Sequence, residues 1–336
     1  MLYVGLDVHK RLWVCCVLNG KGEEVGMKWL RPDSNLLVEW LKGFDEPFSV
    51  CFEASTGYGY LYERLTVFAS EVVVAHPGHL RLVFGSKRKN DRIDARKLAR
   101  LLLLGAVPRV HVPRPPVRSF RAAVRARQRL VDECTRCKNA IRALLYANGI
   151  RAPKSLWSRA GRRWLAAVEF GDRLSAERRD LLVEALEQAT ARRKRLERIL
   201  DGLTRHDRAV VLLRTIPGVG IRTAQAMVAY IDEAKRFPRN KFVGSYFGLV
   251  PREHTSGGRK RLGHITKNGP AVARRLLNQA AWQAIARSPE VRAFFERVCR
   301  DDPKRRKIAI VATMHYLVRV MHAMLRTGEP WRPLAR

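Results

Sequence analysis

Long apolar runs are the first thing this 336-residue chain lacks. No stretch approaches eighteen uncharged apolar residues, and the chain opens directly on a strand-like run. Neither a membrane-spanning helix nor a signal peptide is therefore expected. Cysteine is sparse and forms no framework. Cys15, Cys16 and Cys51 fall in apolar runs, as small core residues of a reducing compartment do. Cys134-x-x-Cys137 has no second ligand pair nearby, which argues against a structural zinc. Acid is scarce too. Against 31 Asp and Glu stand 65 basic residues, sixteen of them Lys and the other 49 Arg, for a net charge of +34. Solubility needs no such excess, whereas a polyanionic partner does. Nucleic acid fits better than a membrane surface, because no long basic amphipathic stretch is present, and Arg suits phosphate and base-edge contacts.

Where acids are scarce, those kept inside basic stretches stand out. Seven basic residues between Lys87 and Arg100 surround Asp91 and Asp94. Ile93, Leu98, Leu101 and Leu102 follow at helical spacing, so the two acids, three apart, share a helix face. A capping role for Asn90 or Asp91, with Asp94 balancing the macrodipole, is the competing reading. Lys87, Arg88, Lys89 and Arg92 beside them read as nucleic-acid contacts.

Upstream, Leu2 to Val8, Trp13 to Leu18 and Val25 to Leu30 alternate with Asn19-Gly20 and Gly22 as a three-stranded meander. Ser34 reads as the N-cap of a helix over Leu36 to Leu41, closed by Gly43. Phe48 to Phe52 is a fourth strand delivering Glu53. A helix from about Tyr58 to Ala69 and a fifth strand, Val72 to Ala75, follow, and His76-Pro77-Gly78 breaks the chain before the Asp91 helix. The order β-β-β-α-β-α-β-α is that of a ribonuclease-H-like mixed sheet. Its first and fourth strands are neighbours, so Asp7, Glu53, Asp91 and Asp94 can converge at one rim.

Prolines crowd residues 108–117 and predict a stiff linker. Two long helices, Arg118 to about Gly149 and Ser175 to about Arg205, flank an irregular stretch carrying Trp157 and Trp164. They predict an antiparallel helical or coiled-coil connector over 118–205. Pro217-Gly218-Val219-Gly220 between two apolar helices reads as a helix-hairpin-helix element, with Gly218 and Gly220 opening backbone amides to a phosphate. Residues 252–269 hold five basic residues and four glycines against one acid, Glu253. Arg259, Lys260, Arg261 and Lys267 there read as phosphate contacts, and the glycines allow close approach. A helix over Pro270 to Ala286 and a last one over His315 to Leu325 complete a C-terminal domain spanning 206–336.

The stretches G-L-D-V-H-K, C-F-E-A-S-T-G, R-K-N-D-R-I-D-A-R-K-L-A, I-P-G-V-G, F-G-L-V-P-R and T-S-G-G-R-K resemble those of the DEDD transposases of insertion sequences, a family that includes the Piv-type DNA invertases. The resemblance covers nearly the whole chain, and in the connector it is one of character only. It implies a RuvC-like catalytic domain over 1–107, a linker, the connector, and a mostly helical transposase domain. It also implies a recombinase that cleaves and rejoins DNA to move its own element. The family's four metal-binding acids map onto Asp7, Glu53, Asp91 and Asp94. Its nucleophilic serine maps onto Ser256, with Ser245 as the nearby competitor. The resemblance further implies one or two Mg²⁺ ions (with Mn²⁺ as the alternative), element ends and target DNA as partners, a non-coding bridge RNA, a dimer or tetramer, and a cytoplasmic, nucleoid-associated setting in a prokaryote.

The residue types suit that chemistry. Carboxylates hold divalent ions that neutralise charge on a phosphodiester under attack, and a set without a His/Cys cluster suits magnesium. A serine nucleophile conserves the phosphodiester energy and lets strands rejoin without ATP. It needs outside activation, which requires Ser256 and the acids to come together across domains. A RuvC-like junction nuclease using water, or a non-catalytic nucleic-acid-binding protein, is the alternative. The charge alone carries one prediction. Affinity for duplex DNA should fall by roughly 10³–10⁵ between about 50 and 200 mM salt if about 6–10 phosphates are neutralised. A titration series by fluorescence anisotropy checks it; a nearly flat salt dependence would show that charge does not drive binding.

Overall fold

A computed structural model describes residues 1–83, 90–253 and 261–332, which form two compact units, Met1–Pro115 and Pro116–Arg336. The first unit starts with the meander β1 (Leu2–Val8), β2 (Trp13–Leu18) and β3 (Glu24–Leu30). Helix α1 (Ser34–Lys42) leads to β4 (Phe48–Glu53), then α2 (Tyr58–Thr66), β5 (Glu71–Ala75), α3 (Pro77–Val83) and α4 (Asp91–Leu103). The five strands lie in the order β3-β2-β1-β4-β5, with β1 antiparallel to β2 and parallel to β4. This is the ribonuclease-H-like mixed sheet expected. Two local readings change. Asp33, not Ser34, caps α1, its side chain accepting from the Asn35 amide at 2.8 Å. His76-Pro77-Gly78 does not merely break the chain but opens α3, where Pro at the first helical position needs no amide partner.

The sheet buries both faces. Leu2, Val4 and Leu6 of β1 face α1 and α2, packing with Leu37, Leu41, Leu61 and Leu65. The alternate residues face α4, whose Ala95 and Ala99 pack on Val14, Cys16 and Leu18. At the crossing stands Gly5. A Cβ there would lie 2.0 Å from the Ala95 carbonyl oxygen and 2.4 Å from the Ala99 nitrogen. After α4 the chain returns along the β5 edge: the His76 amide donates to Pro108 O and the Val110 amide to Val74 O, each at 2.8 Å. The proline-rich stretch thus covers a strand edge that would otherwise be open.

Helix α5 (Pro115–Ala147) opens at the boundary and runs into the second unit, followed by α6 (Arg159–Ala166), α7 (Arg173–Thr204), α8 (Arg208–Leu213), α9 (Ile221–Ile231) and α10 (Asn240–Tyr246). A hairpin of β6 (Pro251–Glu253) and β7 (Leu262–Ile265) precedes α11 (Ala271–Arg287), α12 (Pro289–Cys299) and α13 (Arg306–Thr327). Helices α5 and α7 run antiparallel: Arg127 meets Glu197 at 2.8 Å, and further along α5 Cys134 meets Thr190 at 3.6 Å. Cys134 and Cys137 are buried against Leu186 and Ala189 of α7, as core thiols. Helix α6 lies inside the stretch read as irregular. Ser158 caps it, accepting from the Gly161 amide at 3.1 Å. Helix α12 was not foreseen, and α13 begins nine residues before the expected start at His315. The segment Pro303–Thr327 is long and apolar enough to cross a membrane. Here Met314, Leu317, Val318 and Met321 of α13 sit in the core of the C-terminal bundle, which accounts for their apolarity.

Gly5→Ala should destabilise the first unit by about 1–3 kcal/mol or more, because a backbone cannot rotate away as a side chain can. Gly20→Ala, at a glycine with nothing within 4 Å of its would-be Cβ, should be silent. Calorimetry on the full chain distinguishes them, and equal transitions for both variants would contradict the packing at Gly5.

Candidate metal centre and serine loop

The acids are gathered by strand register and by one helix start. Leu6 pairs with Phe52 across the parallel β1–β4 pair, so Asp7 and Glu53 follow as the next residues on neighbouring strands. Cys51 faces Leu98 and Leu101 of α4, and Glu53, two residues on, belongs to that same sheet face. Asn90 caps α4 by accepting from the Arg92 amide at 3.0 Å, which leaves Asp91 and Asp94 in the first helical turn. Ala95 sits on Gly5, so Asp91, one turn earlier on α4, lies over the end of β1.

The close group is Asp7, His9 and Asp91. Their ligand atoms lie within 4.8 Å of one another, the one such group among the described residues. His9 Nε2 is 3.1 Å from Asp7 Oδ2 and 3.7 Å from Asp91 Oδ1. Asp94 instead points to Lys97, at 3.4 Å, and Glu53 is exposed outside the group. Burial lifts the Asp7 carboxyl above its ordinary value. His9 pulls it back, and the negative charges of Asp91 and Asp94 push it further up. His9 was missed by the sequence reading. Its signal was there: D-x-H at the end of a strand leaves an imidazole two residues from the carboxylate.

Arg92, read as a nucleic-acid contact, is held with Arg96 by Glu24 of β3, at 3.3 Å for Arg92. Lys87, Arg88 and Lys89 lie outside the described residues, as do Ser256, Arg259 and Lys260. Around the serine loop, the described frame is tight. Gly248 and Gly269 both have positive φ, and their backbones interlock: a Cβ on Gly248 would lie 2.3 Å from Asn268 O, and one on Gly269 2.0 Å from Tyr246 O. The Thr266 amide donates to Val250 O at 2.9 Å, and Arg274 donates to Phe247 O and Gly269 O at 3.2 Å each. The segment read as a loop thus has paired ends in β6 and β7. Arg261 and Lys267 are exposed there, and Ser245 is exposed on α10. At the α8–α9 turn, Gly218 abuts α11, with a would-be Cβ 2.4 Å from Ala284 N, while Gly220 caps α9 in open space.

Carboxylate oxygens and one imidazole, with no thiolate, form a donor set that suits a hard divalent cation. Comparison with known proteins points the same way. Residues 4–147 match the DEDD transposase family profile of the IS110 type, and residues 210–296 match the profile described as the transposase IS116/IS110/IS902 family. A putative transposase of Sinorhizobium fredii, y4qE, is 30% identical over 292 residues, spanning 83% of this chain and 71% of that protein. The transposase for insertion sequence element IS1328 of Yersinia enterocolitica is 28% identical over 241 residues, 70% of each chain. A pilin gene-inverting protein of Moraxella lacunata is 31% identical over 122 residues, 36% of this chain and 38% of its own. With a relative that is 30% identical over most of both chains and two transposase profiles matched in succession, the chain belongs to the IS110-type DEDD transposases.

Proposed function

We propose that this transposase moves an insertion sequence by a serine-linked strand exchange, in which Asp7, Glu53, Asp91 and Asp94 hold Mg²⁺ and Ser256 attacks the DNA. The observation that carries it is the approach of Asp91, from the start of α4, to Asp7 at the end of β1, with His9 between them. Acids are too scarce in this chain, and too costly to bring together, for that placement to serve packing. A bound divalent ion supplies charge neutralisation at the attacked phosphodiester. His9 orients the Asp7 carboxylate through its 3.1 Å contact. Glu53 and Asp94 complete the oxygen donors from the same sheet face and the same helical turn.

Ser256 Oγ displaces one strand end from phosphorus. A phosphorus–oxygen bond to serine forms, the bond to the departing deoxyribose oxygen breaks, and that oxygen takes up a proton. Reversal by another strand's hydroxyl restores the diester without ATP. The basic residues Lys87, Arg88, Lys89, Arg259, Lys260, Arg261 and Lys267, with Gly220 at the α9 start, supply phosphate contacts. We assign residues 118–205 a connecting role and 206–336 the serine chemistry. A bridge RNA guiding the choice of element ends and target, and a dimeric or tetrameric assembly, complete the proposal. The relatives named as transposases and as a gene-inverting protein support the rearrangement chemistry.

The metal reading has a direct check. Because the fold raises the Asp7 pKa, its ionised form costs stability above that pKa, and the cost vanishes as pH falls through it. Asp7→Asn should therefore raise the melting temperature of the metal-free protein at neutral pH. It should also abolish the upward shift that Mg²⁺ gives the wild type. Apparent Mg²⁺ affinity of the wild type should start to weaken at a higher pH than an ordinary carboxylate would dictate. Asp91→Ala should lower strand cleavage by about 10²–10³-fold or more, the scale of losing one preorganised electrostatic contact. An unaltered Mg²⁺ shift in Asp7→Asn, or cleavage at the wild-type rate in Asp91→Ala, would remove these residues from the centre.

The nucleophile is checked by a denaturing gel for DNA-linked protein. Ser256→Ala should lose the adduct while Ser245→Ala keeps it. An adduct that survives Ser256→Ala and disappears with Ser245→Ala moves the nucleophile to α10. Cleavage without any adduct in the wild type favours a junction nuclease that uses water.

A further inference from the structure

Between Glu133 and Glu169 the chain carries eight basic residues and not one acid. Residues 95–131 are free of acid as well, but there Arg96, Arg109, Arg121 and Arg127 are paired with Glu24, Glu71, Asp232 and Glu197. The stretch between Glu133 and Glu169 is the tip of the helical pair: the last part of α5, the turn after it, and α6. Seven of its eight basic side chains are exposed. A small core of Ile141, Leu145, Leu156, Leu165 and Leu186 fixes the tip's shape, so these charges sit on a built surface.

Trp157 organises them. Lys138 Nζ and Arg142 Cζ, one turn apart on α5, lie 5.2 and 5.6 Å from its ring centroid. Trp157 and Arg162 line one cavity of about 150 Å³, so Arg162 of α6 joins the same neighbourhood. Arg159 and Arg163, three positions before and one after it, extend the basic face along α6. The cavity's far wall, on α7, carries Asp180 and Glu187. Asp180 is paired with Arg179 at 2.8 Å, and Arg179 in turn donates to Val168 O at 2.7 Å. Glu187 is thus the one acid of this cavity left to set against the basic residues of the α5–α6 side.

We infer that this tip is a sequence-independent docking surface for the phosphate backbone of double-stranded DNA, carried by elements other than those of the cleavage chemistry. Two features favour a duplex over a single strand. Single-strand sites offer free aromatic faces on which bases stack. Here Trp157 is engaged by two cations and Trp164 packs against the small core, which leaves Tyr146 as a lone exposed ring. Nor does the tip present Asn, Gln or acidic side chains grouped for base edges; it presents Arg, which meets phosphate oxygens in pairs.

The test uses the full-length protein and a fluorescein-labelled duplex of arbitrary sequence, with anisotropy read over a range of salt. Neutralising Arg142, Arg159, Arg162 and Arg163 to Gln should make the log–log salt slope shallower by about 3–4, since each phosphate contact contributes about 0.9. Converting the same four to Lys should keep the wild-type slope, because backbone contacts need charge more than shape. A matched variant with Arg192, Lys194, Arg195 and Arg198 of α7 changed to Gln alters net charge equally and should leave the slope near wild type. Equal drops in the two neutralised variants would overturn the proposal, since only net charge would then matter. So would a Lys variant that behaves like the Gln one, or a loss confined to structured RNA with duplex binding intact. Serine-linked adduct formation on prebound DNA depends on the other sites, so its failure and the failure of this docking surface are read separately.

Discussion

Helix α4 lies so close on β1 that a methyl group at Gly5 would fall 2.0 Å from the Ala95 carbonyl oxygen. The placement of the acids in the first unit follows from that contact. Ala95 and Ala99 are small, so the helix can descend onto the glycine and cover Val14, Cys16 and Leu18. Asp91 then projects over the end of β1, where Asp7 stands two residues beyond Gly5 on the same face. The approach trades side-chain volume for position: less apolar area is buried at the crossing than Leu or Val would bury, and the acids come within ligand distance instead. Parallel pairing of β1 with β4 brings Glu53 to the same rim, because register between adjacent strands leaves no freedom of one residue without reversing the face.

Electrostatics sharpen the picture. A chain of net charge +34 attracts phosphate over its surface, yet at the end of β1 it holds two carboxylates within 4.8 Å of each other. Asp7 shows the cost, its carboxyl raised by burial and by neighbouring acids. The α4 N-terminus lowers that cost, since acids in a first helical turn complement the macrodipole. Glu24 ties down Arg92 and Arg96 on the next face of α4, so these guanidiniums are occupied away from the acids. A divalent cation is the natural partner of what remains.

The second unit solves a different problem, holding a basic glycine-rich segment on a helical bundle. Two positive-φ glycines, Gly248 and Gly269, let the chain before β6 and the chain after β7 pass within backbone contact, and Arg274 ties both to α11. Gly218 does the same for the α8–α9 turn against α11, so the first of the two glycines read as phosphate contacts also has a packing role. The antiparallel α5–α7 pair is anchored where Arg222 of α9 grips Asp201 at 2.6 Å and Gln225 reaches Thr204 at 2.8 Å. The pair thus extends from the bundle, with its small core and its acid-free basic tip at the other end.

Sequence alone determined the strands of the mixed sheet, because alternation and Asn-Gly punctuation are local signals that tertiary packing then reinforced. It also isolated Asp7, Glu53, Asp91 and Asp94, since acids in so basic a chain stand out, and it located the two long helices. Helix α12 escaped it because the sequence reading assigns no element between the helix expected to Ala286 and the one expected from His315, although Ser288 and Pro289, its cap and first residue, are local helix-start signals. Helix α6 hid behind the glycine and proline around it. What only the tertiary structure decided is which of the chemistry-bearing residues touch. His9 joins Asp7 and Asp91 because the strand ends under α4, while Asp94, on the same turn, turns to Lys97. Spacing along a chain fixes which residues share a face, but the distance between faces is set by what packs between them, and here that is the absent side chain of Gly5.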